Sequence, residues 1–146
     1  MSESSKSIEE FRDYRKRMNA RILDPGGVDH KGIKRFFNLD TAAYRDGALD
    51  GRTKELLGLV ASAVLRCNDC IDYHLDQCVE VGWSDDELYD ALNVALVVGG
   101  SIVIPHLRHA VDTIDQLRAE GKSESPEAQG QKAPDDRDEL YEDDRE

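Results

Sequence analysis

The sequence predicts an all-α fold, a single-domain bundle of about six helices over residues 1–120, followed by an acidic tail over residues 121–146. Three observations predict it. Apolar residues recur at helical spacing along most of the first 120 positions, helix-start signals precede those runs, and glycine clusters close them. Leu96-Val97-Val98 and Ile102-Val103-Ile104 are β-prone in composition, yet no segment sustains strand alternation or carries a hairpin turn.

Taken in order, Ser7-Ile8-Glu9-Glu10 is a capping box opening a helix whose Ile8, Phe11, Met18 and Ile22 recur near helical spacing until Pro25-Gly26-Gly27 stops it. A weaker helical stretch carries Ile33, Phe36 and Phe37, with Asp40 as candidate cap for a short continuation from Thr41 to Arg45 that Gly47 ends. Asp50 caps a third helix bearing Leu56, Leu57, Val60, Ala63 and Val64. The Asn68/Asp69 pair offers the next N-cap, before a helix that stops at Gly82. Ser84-Asp85-Asp86-Glu87 is a second capping box, and its helix passes through Leu88, Leu92, Ala95 and Leu96 to a break at Gly99-Gly100. A last helix runs from about Ile102 to Glu120, where Pro105 fits only the first turn or a kink.

From Gly121 the composition turns to Ser, Pro, Gln and Gly and then to Asp and Glu; with ten acids and four bases and no apolar period, this stretch predicts disorder. The whole chain carries a formal charge of −12, which repels a phosphate backbone and excludes nucleic acid as a partner. Abundant Asp with sparse Lys suits solubility at high salt. No run approaches the roughly 20 apolar residues of a membrane span, and the opening Met-Ser-Glu-Ser-Ser-Lys lacks the apolar stretch of a signal peptide. The expectation is a cytoplasmic protein with no membrane partner.

Three cysteines are present, and two of them form Cys67-Asn68-Asp69-Cys70. Cysteines three apart at a helix start place their α-carbons roughly 5 Å apart, within disulfide range. With Asn68 as N-cap, Cys70 lies in the first turn, where unpaired N–H groups and the helix dipole favour a thiolate. His74 follows one turn later on the same face, close enough to take a thiol proton directly or through a water. If the third and fourth helices are antiparallel, Glu55 faces the region of His74 and can orient its ring. Incidental, inert cysteines are the competing reading, and the matching phase of His74 weighs against it.

Cys67, Cys70, His74 and Cys78 superficially form a Cys3His metal set. Cys78, however, stands eight residues beyond Cys70, about 12 Å along a helix axis, so one ion cannot take all four and neither metal nor cofactor is expected. Cys78 reads as a packing residue. His106 and His109 read as helix-surface residues without a carboxylate signature, His30 as a loop residue without a role, and Arg52 and Lys54 as solvated charges. Trp83 reads as packing the turn between two helices.

These residues resemble a known family. Leu49-Asp50-Gly51-Arg52-Thr53-Lys54-Glu55-Leu56-Leu57, then Cys67-x-x-Cys70-x-x-x-His74, then Gly82-Trp83-Ser84-Asp85-Asp86-Glu87-Leu88 are similar to the carboxymuconolactone decarboxylase family and its alkylhydroperoxidase D-like branch. The resemblance implies a homo-oligomer, a trimer or hexamer, and a thiol pair that reduces a small-molecule hydroperoxide and is recycled by an external thiol or disulfide reductant. Carried over by position, Glu55 and His74 form a proton relay, Cys70 attacks and Cys67 resolves. Some peroxidase members carry His directly before the second Cys, where this chain has Asp69, and a neighbouring carboxylate disfavours the thiolate. The alternatives are a cysteine-independent lactone or keto-acid decarboxylase using His74 and Glu55, or a non-catalytic oligomeric binding module.

Overall fold

A computed structural model describes residues 6–121, and the acidic tail from residue 122 onward lies outside the described residues. Six α-helices follow one another, α1 (Ile8–Leu23), α2 (Lys31–Ala43), α3 (Gly51–Val64), α4 (Asn68–Glu80), α5 (Asp85–Gly99) and α6 (Ile104–Ala119), with a 3-10 turn over Ser101–Val103. Among the described residues there is no strand, so the all-α class and the helix number agree with the sequence reading. No helix among them is long and apolar enough to cross a membrane.

Both capping boxes form, with Ser7 and Ser84 accepting from the backbone N–H of Glu10 and Glu87 while those carboxylates accept from the cap N–H in return. Asp50 caps α3 by accepting from Thr53 N–H at 2.7 Å, and hydrogen bonding from the Thr53 side chain, then from its backbone, lowers the carboxyl pKa. Pro105 sits in the first turn of α6, where its missing N–H costs nothing.

Three local expectations are corrected. Asp40 caps nothing, because α2 runs unbroken through it to Ala43, with Thr41 Oγ1 donating back to the Phe37 carbonyl within the helix. His30 has a role after all: its Nδ1 accepts from the N–H groups of Gly32 and Ile33 and so caps α2. Cys67, rather than Asn68, is the N-cap of α4; its backbone is extended (φ −105°, ψ 98°) and its sulfur accepts from Cys70 N–H at 3.3 Å. Serine-like capping by sulfur is the physical reason a composition-based cap assignment misses it.

The core gathers one face of each of α3 to α6. Leu59, Ile71, Leu75, Leu88, Leu92, Ile114 and Leu117 are fully buried, and Ile8 and Phe11 of α1 close the end of the cluster. Each such side chain contributes about 1.5–3 kcal/mol on transfer from water, which fixes α3 against α4 and α5, and α4 against α6. α1 is fastened chiefly at its N-terminal half. Gln116 accepts from Ile8 N–H at 2.8 Å, and Arg12 forks onto Asp76 of α4 at 2.6 and 2.9 Å while reaching Glu120 at 2.7 Å. α2 has no buried residue, and Phe36 and Leu39 on it are each 67% exposed.

Candidate functional site

The turn from α3 into α4 aims the cysteines. Arg66 adopts φ 59°, a left-handed conformation costing a non-glycine residue about 1–2 kcal/mol, and Arg66 and Cys67 N–H groups donate to the carbonyls of Ala63 and Ser62. The chain therefore leaves α3 in a closed turn and enters α4 at Cys67. Cys67 and Cys70 are joined as a disulfide with α-carbons 5.2 Å apart. Cys67 is half-buried and Cys70 exposed.

One turn further along α4, His74 is only 8% exposed and its Nδ1 lies 2.9 Å from the carboxylate of Glu55 on α3, itself 8% exposed. The antiparallel α3–α4 pair thus brings together the two residues that the sequence could only align. The ring's Nε2 meets the hydroxyl of Tyr44 at 3.3 Å. The Tyr44 ring lies tilted at 40° to the imidazole and the Tyr73 ring meets it edge-on at 66°, with centroids 5.3 and 5.0 Å from that of His74. Burial, followed by the charge of Asp40 for Tyr44 and of Glu55 for Tyr73, raises both phenol pKa values, so each hydroxyl stays protonated.

Close approach of His74 to α3 depends on Gly58. A Cβ at that position would stand 2.5–2.8 Å from the imidazole atoms. Ser62 Oγ donates to the Gly58 carbonyl at 2.6 Å one turn later, keeping that stretch of helix satisfied.

Cys70 and His74 open onto a cavity of about 370 Å³ between α1 and α4. Phe11, Met18 and Arg15 of α1 form one wall, Asp40 enters from α2, and Asp69 and Tyr73 flank the cysteine on α4. Arg15 lies over the Tyr73 ring at 4.3 Å. Charges of both signs line the cavity with Cys70: Arg15 and the α4 N-terminus favour a thiolate, and the carboxylates of Asp40 and Asp69 oppose it.

The remaining candidate residues separate from this centre. Cys78 is fully buried in the core, and desolvation pushes its thiol up to about 12, so it is no nucleophile. Among the described residues, no three His, Cys, Asp or Glu side chains converge as metal ligands. His106 and His109, read as helix-surface residues without a carboxylate signature, both have partners, and for His109 the partner is a carboxylate. His109 Nε2 lies 2.8 Å from Asp72, a carboxylate 3% exposed that also accepts from Thr113 at 2.7 Å, and His106 meets Asn68 at 2.7 Å. The bond to Asp72 raises the His109 pKa against the opposing effect of burial. Nor are Arg52 and Lys54 solvated charges. Arg52 stacks on Trp83 at 3.4 Å, and its carbonyl accepts from the indole N–H; Lys54 donates to the carbonyls of Ala43 and Arg45.

Sequence reasoning missed Tyr44, Tyr73, Gly58 and the α1 wall. Only Gly58 carried a signal, as an isolated glycine inside a helical run, which usually marks a close approach. Tyr44 lies 30 positions from His74 in an unremarkable helix end.

Comparison with known proteins gives a consistent picture. Residues 30–113, more than half of the chain, match the sequence profile of the carboxymuconolactone decarboxylase family. A solved structure from Thermotoga maritima is similar at 55% identity and TM-score 0.71, covering 77% of this chain and 93% of that one; it is described as a member of this family with a suggested part in an antioxidative response. A family member from Legionella pneumophila, at 24% identity and TM-score 0.64 over 75% of this chain and 95% of its own, shares the fold. Uncharacterized protein 4 in the cox locus of Paracoccus denitrificans is 28% identical over 82 residues, 56% of this chain and 74% of its own length.

Proposed function

This chain belongs to the carboxymuconolactone decarboxylase family, and on that premise we propose that it works as a thiol-dependent hydroperoxide reductase. The observation that carries the reading is the Cys67–Cys70 disulfide at the start of α4, with Cys70 and His74 lining one cavity and Glu55 behind the imidazole. A cysteine-independent decarboxylase would have no use for a paired, cavity-facing thiol, and an inert binding module would have none for a buried His–carboxylate pair beside it.

In the proposed cycle the Cys70 thiol gives its proton to His74, whose positive charge Glu55 offsets. The thiolate sulfur attacks the distal oxygen of a hydroperoxide ROOH, the O–O bond breaks, and ROH leaves with a proton while Cys70 becomes a sulfenic acid. The Cys67 thiol then displaces the hydroxyl as water, forming the disulfide. Two electrons from an external thiol or disulfide reductant restore both thiols. Of the charges on the cavity wall, Asp40 and Asp69 oppose the thiolate and Arg15 favours it. The reading includes a reducing, cytoplasmic setting and a homo-oligomer, trimer or hexamer. Exposed Phe36 and Leu39 on α2 and Val97 and Val98 on α5 support assembly.

The test is direct. Reduced protein receives one equivalent of an organic hydroperoxide, thiols are blocked by alkylation, and peptides are analysed by mass spectrometry. Formation of the Cys67–Cys70 disulfide is expected, with dimedone trapping a sulfenic acid on Cys70 in a Cys67→Ser variant. Unchanged thiols refute the peroxidase reading, and dimedone on Cys67 in Cys70→Ser reverses the assignment of the two cysteines.

A further inference from the structure

In the disulfide form neither nitrogen of His74 is left over. Glu55 accepts from Nδ1–H at 2.9 Å, which leaves the lone pair on Nε2, and the Tyr44 hydroxyl is the donor that meets it at 3.3 Å. Tyr44 reaches the ring from a different element than Glu55, as the C-cap residue of α2. No residue of α2 is buried, so the core does not hold Tyr44 in place.

Local bonds do. Lys54, the residue before Glu55 on α3, donates to the carbonyls of Ala43 and Arg45 at 2.9 and 2.6 Å, the two residues that flank Tyr44. Gly51 N–H donates to Asp46 at 2.7 Å, and a Cβ on Gly51 would stand 2.7 Å from the Tyr44 carbonyl oxygen. The start of α3 therefore clamps both sides of Tyr44. The same helix, one residue beyond that lysine, supplies the carboxylate for the other side of the imidazole.

We propose that Tyr44 is a positioning residue for His74, holding Nε2 in the orientation that receives the Cys70 proton, and that Lys54 holds Tyr44. The inference rests on the thiol-redox reading above. In the dithiol form the Cys70 S–H bond breaks, its electron pair stays on sulfur and its proton goes to Nε2, whose lone pair the Tyr44 hydroxyl gives up as it turns from donor to acceptor. A hydroxyl suits both states of the ring, because it donates to the neutral lone pair and accepts from the imidazolium N–H. The charged groups around the pair are Arg15 from α1, Asp40 from α2, Glu55 from α3 and Asp69 from α4, and replacing Tyr44 by Phe alters none of them.

The experiment follows alkylation of Cys70 in the reduced full chain as a function of pH, alongside the rate of hydroperoxide-driven disulfide formation. Tyr44→Phe keeps the aromatic ring and removes the hydroxyl. Its half-maximal alkylation pH is expected to rise by roughly half a unit to one unit, and its oxidation to slow about five-fold. Lys54→Met shifts both in the same direction by less, and Lys54→Arg restores them, which keeps the inference testable even if Tyr44→Phe folds poorly. An alkylation profile that stays put, or moves to lower pH because the hydroxyl merely competes with the thiol, overturns it. Alkylation needs no peroxide. A chain that consumes no hydroperoxide but shows the Tyr44→Phe shift refutes the peroxidase reading alone, and active peroxidase without the shift refutes only the role of Tyr44.

Discussion

Gly58→Ala is the substitution whose effect follows most directly from the geometry. In an exposed helix interior, Ala is favoured over Gly by about 1 kcal/mol, so helix propensity alone predicts a more stable protein. Here the added methyl carbon would stand 2.5, 2.7 and 2.8 Å from Cε1, Nδ1 and Nε2 of His74, well inside a normal contact of about 3.5–4.0 Å. The ring must retreat by about 1 Å, away from Glu55 and towards the cavity. Overpacking of this kind costs about 1–3 kcal/mol, and loosening a buried carboxylate from its partner adds about 1–3 kcal/mol. Set against the helix-propensity gain of about 1 kcal/mol, the net expectation is a loss of about 1–5 kcal/mol, or roughly 3–20 °C in Tm for a domain of this size. The rate of hydroperoxide-driven disulfide formation falls about 100-fold, the low end for removal of a general base. Thermal unfolding and single-turnover oxidation measure both. A variant that is about 1 kcal/mol more stable and oxidises at the wild-type rate refutes the argument, because the ring would then not be held against α3.

Two further outcomes follow from titrating groups. Burial pushes the Cys78 thiol up to about 12, so reduced native protein titrated with a chromogenic disulfide near neutral pH should release two equivalents per chain, and a third only in denaturant. The hydrogen bond to Asp72 raises the His109 pKa, so the pair stabilises the fold fully below the ordinary histidine pKa of about 6.5 and progressively less as pH climbs through the raised folded-state value. The stability difference between wild type and His109→Gln, measured by urea unfolding, should therefore be largest in mild acid and shrink in alkali; a difference that grows with pH contradicts the pairing.

What the sequence made legible was whatever depends on near neighbours. Ser7 with Glu10, Ser84 with Glu87, and Asp50 with Thr53 are contacts of three residues or fewer, and each cap forms where its residues indicate. Cys67, Cys70 and His74 are also local, so their common face could be read from helix periodicity. Glu55 needed one tertiary assumption, the antiparallel α3–α4 pair. Beyond that the sequence was silent. The links between Asp72 and His109 and between Tyr44 and His74 span 37 and 30 positions, and nothing in either stretch marks the partner. Asp40 was misread for a related reason: an acidic residue after apolar ones looks like a cap, but the helix that contains it is not obliged to stop there.

The absence of any buried residue in α2 has a consequence for how the site opens. A helix with no stake in the core detaches in its own local unfolding event, at a free energy well below that of the whole bundle. Its amide protons should exchange with solvent long before those of α3 and α4. An opening that also breaks the Lys54 bonds on either side of Tyr44 would carry its hydroxyl away while leaving Cys70, His74 and Glu55 on elements that stay folded. The fraction of molecules with a complete hydrogen-bond set around the imidazole is then governed by the docking equilibrium of thirteen residues, and that fraction can change with temperature or assembly while the fold itself does not.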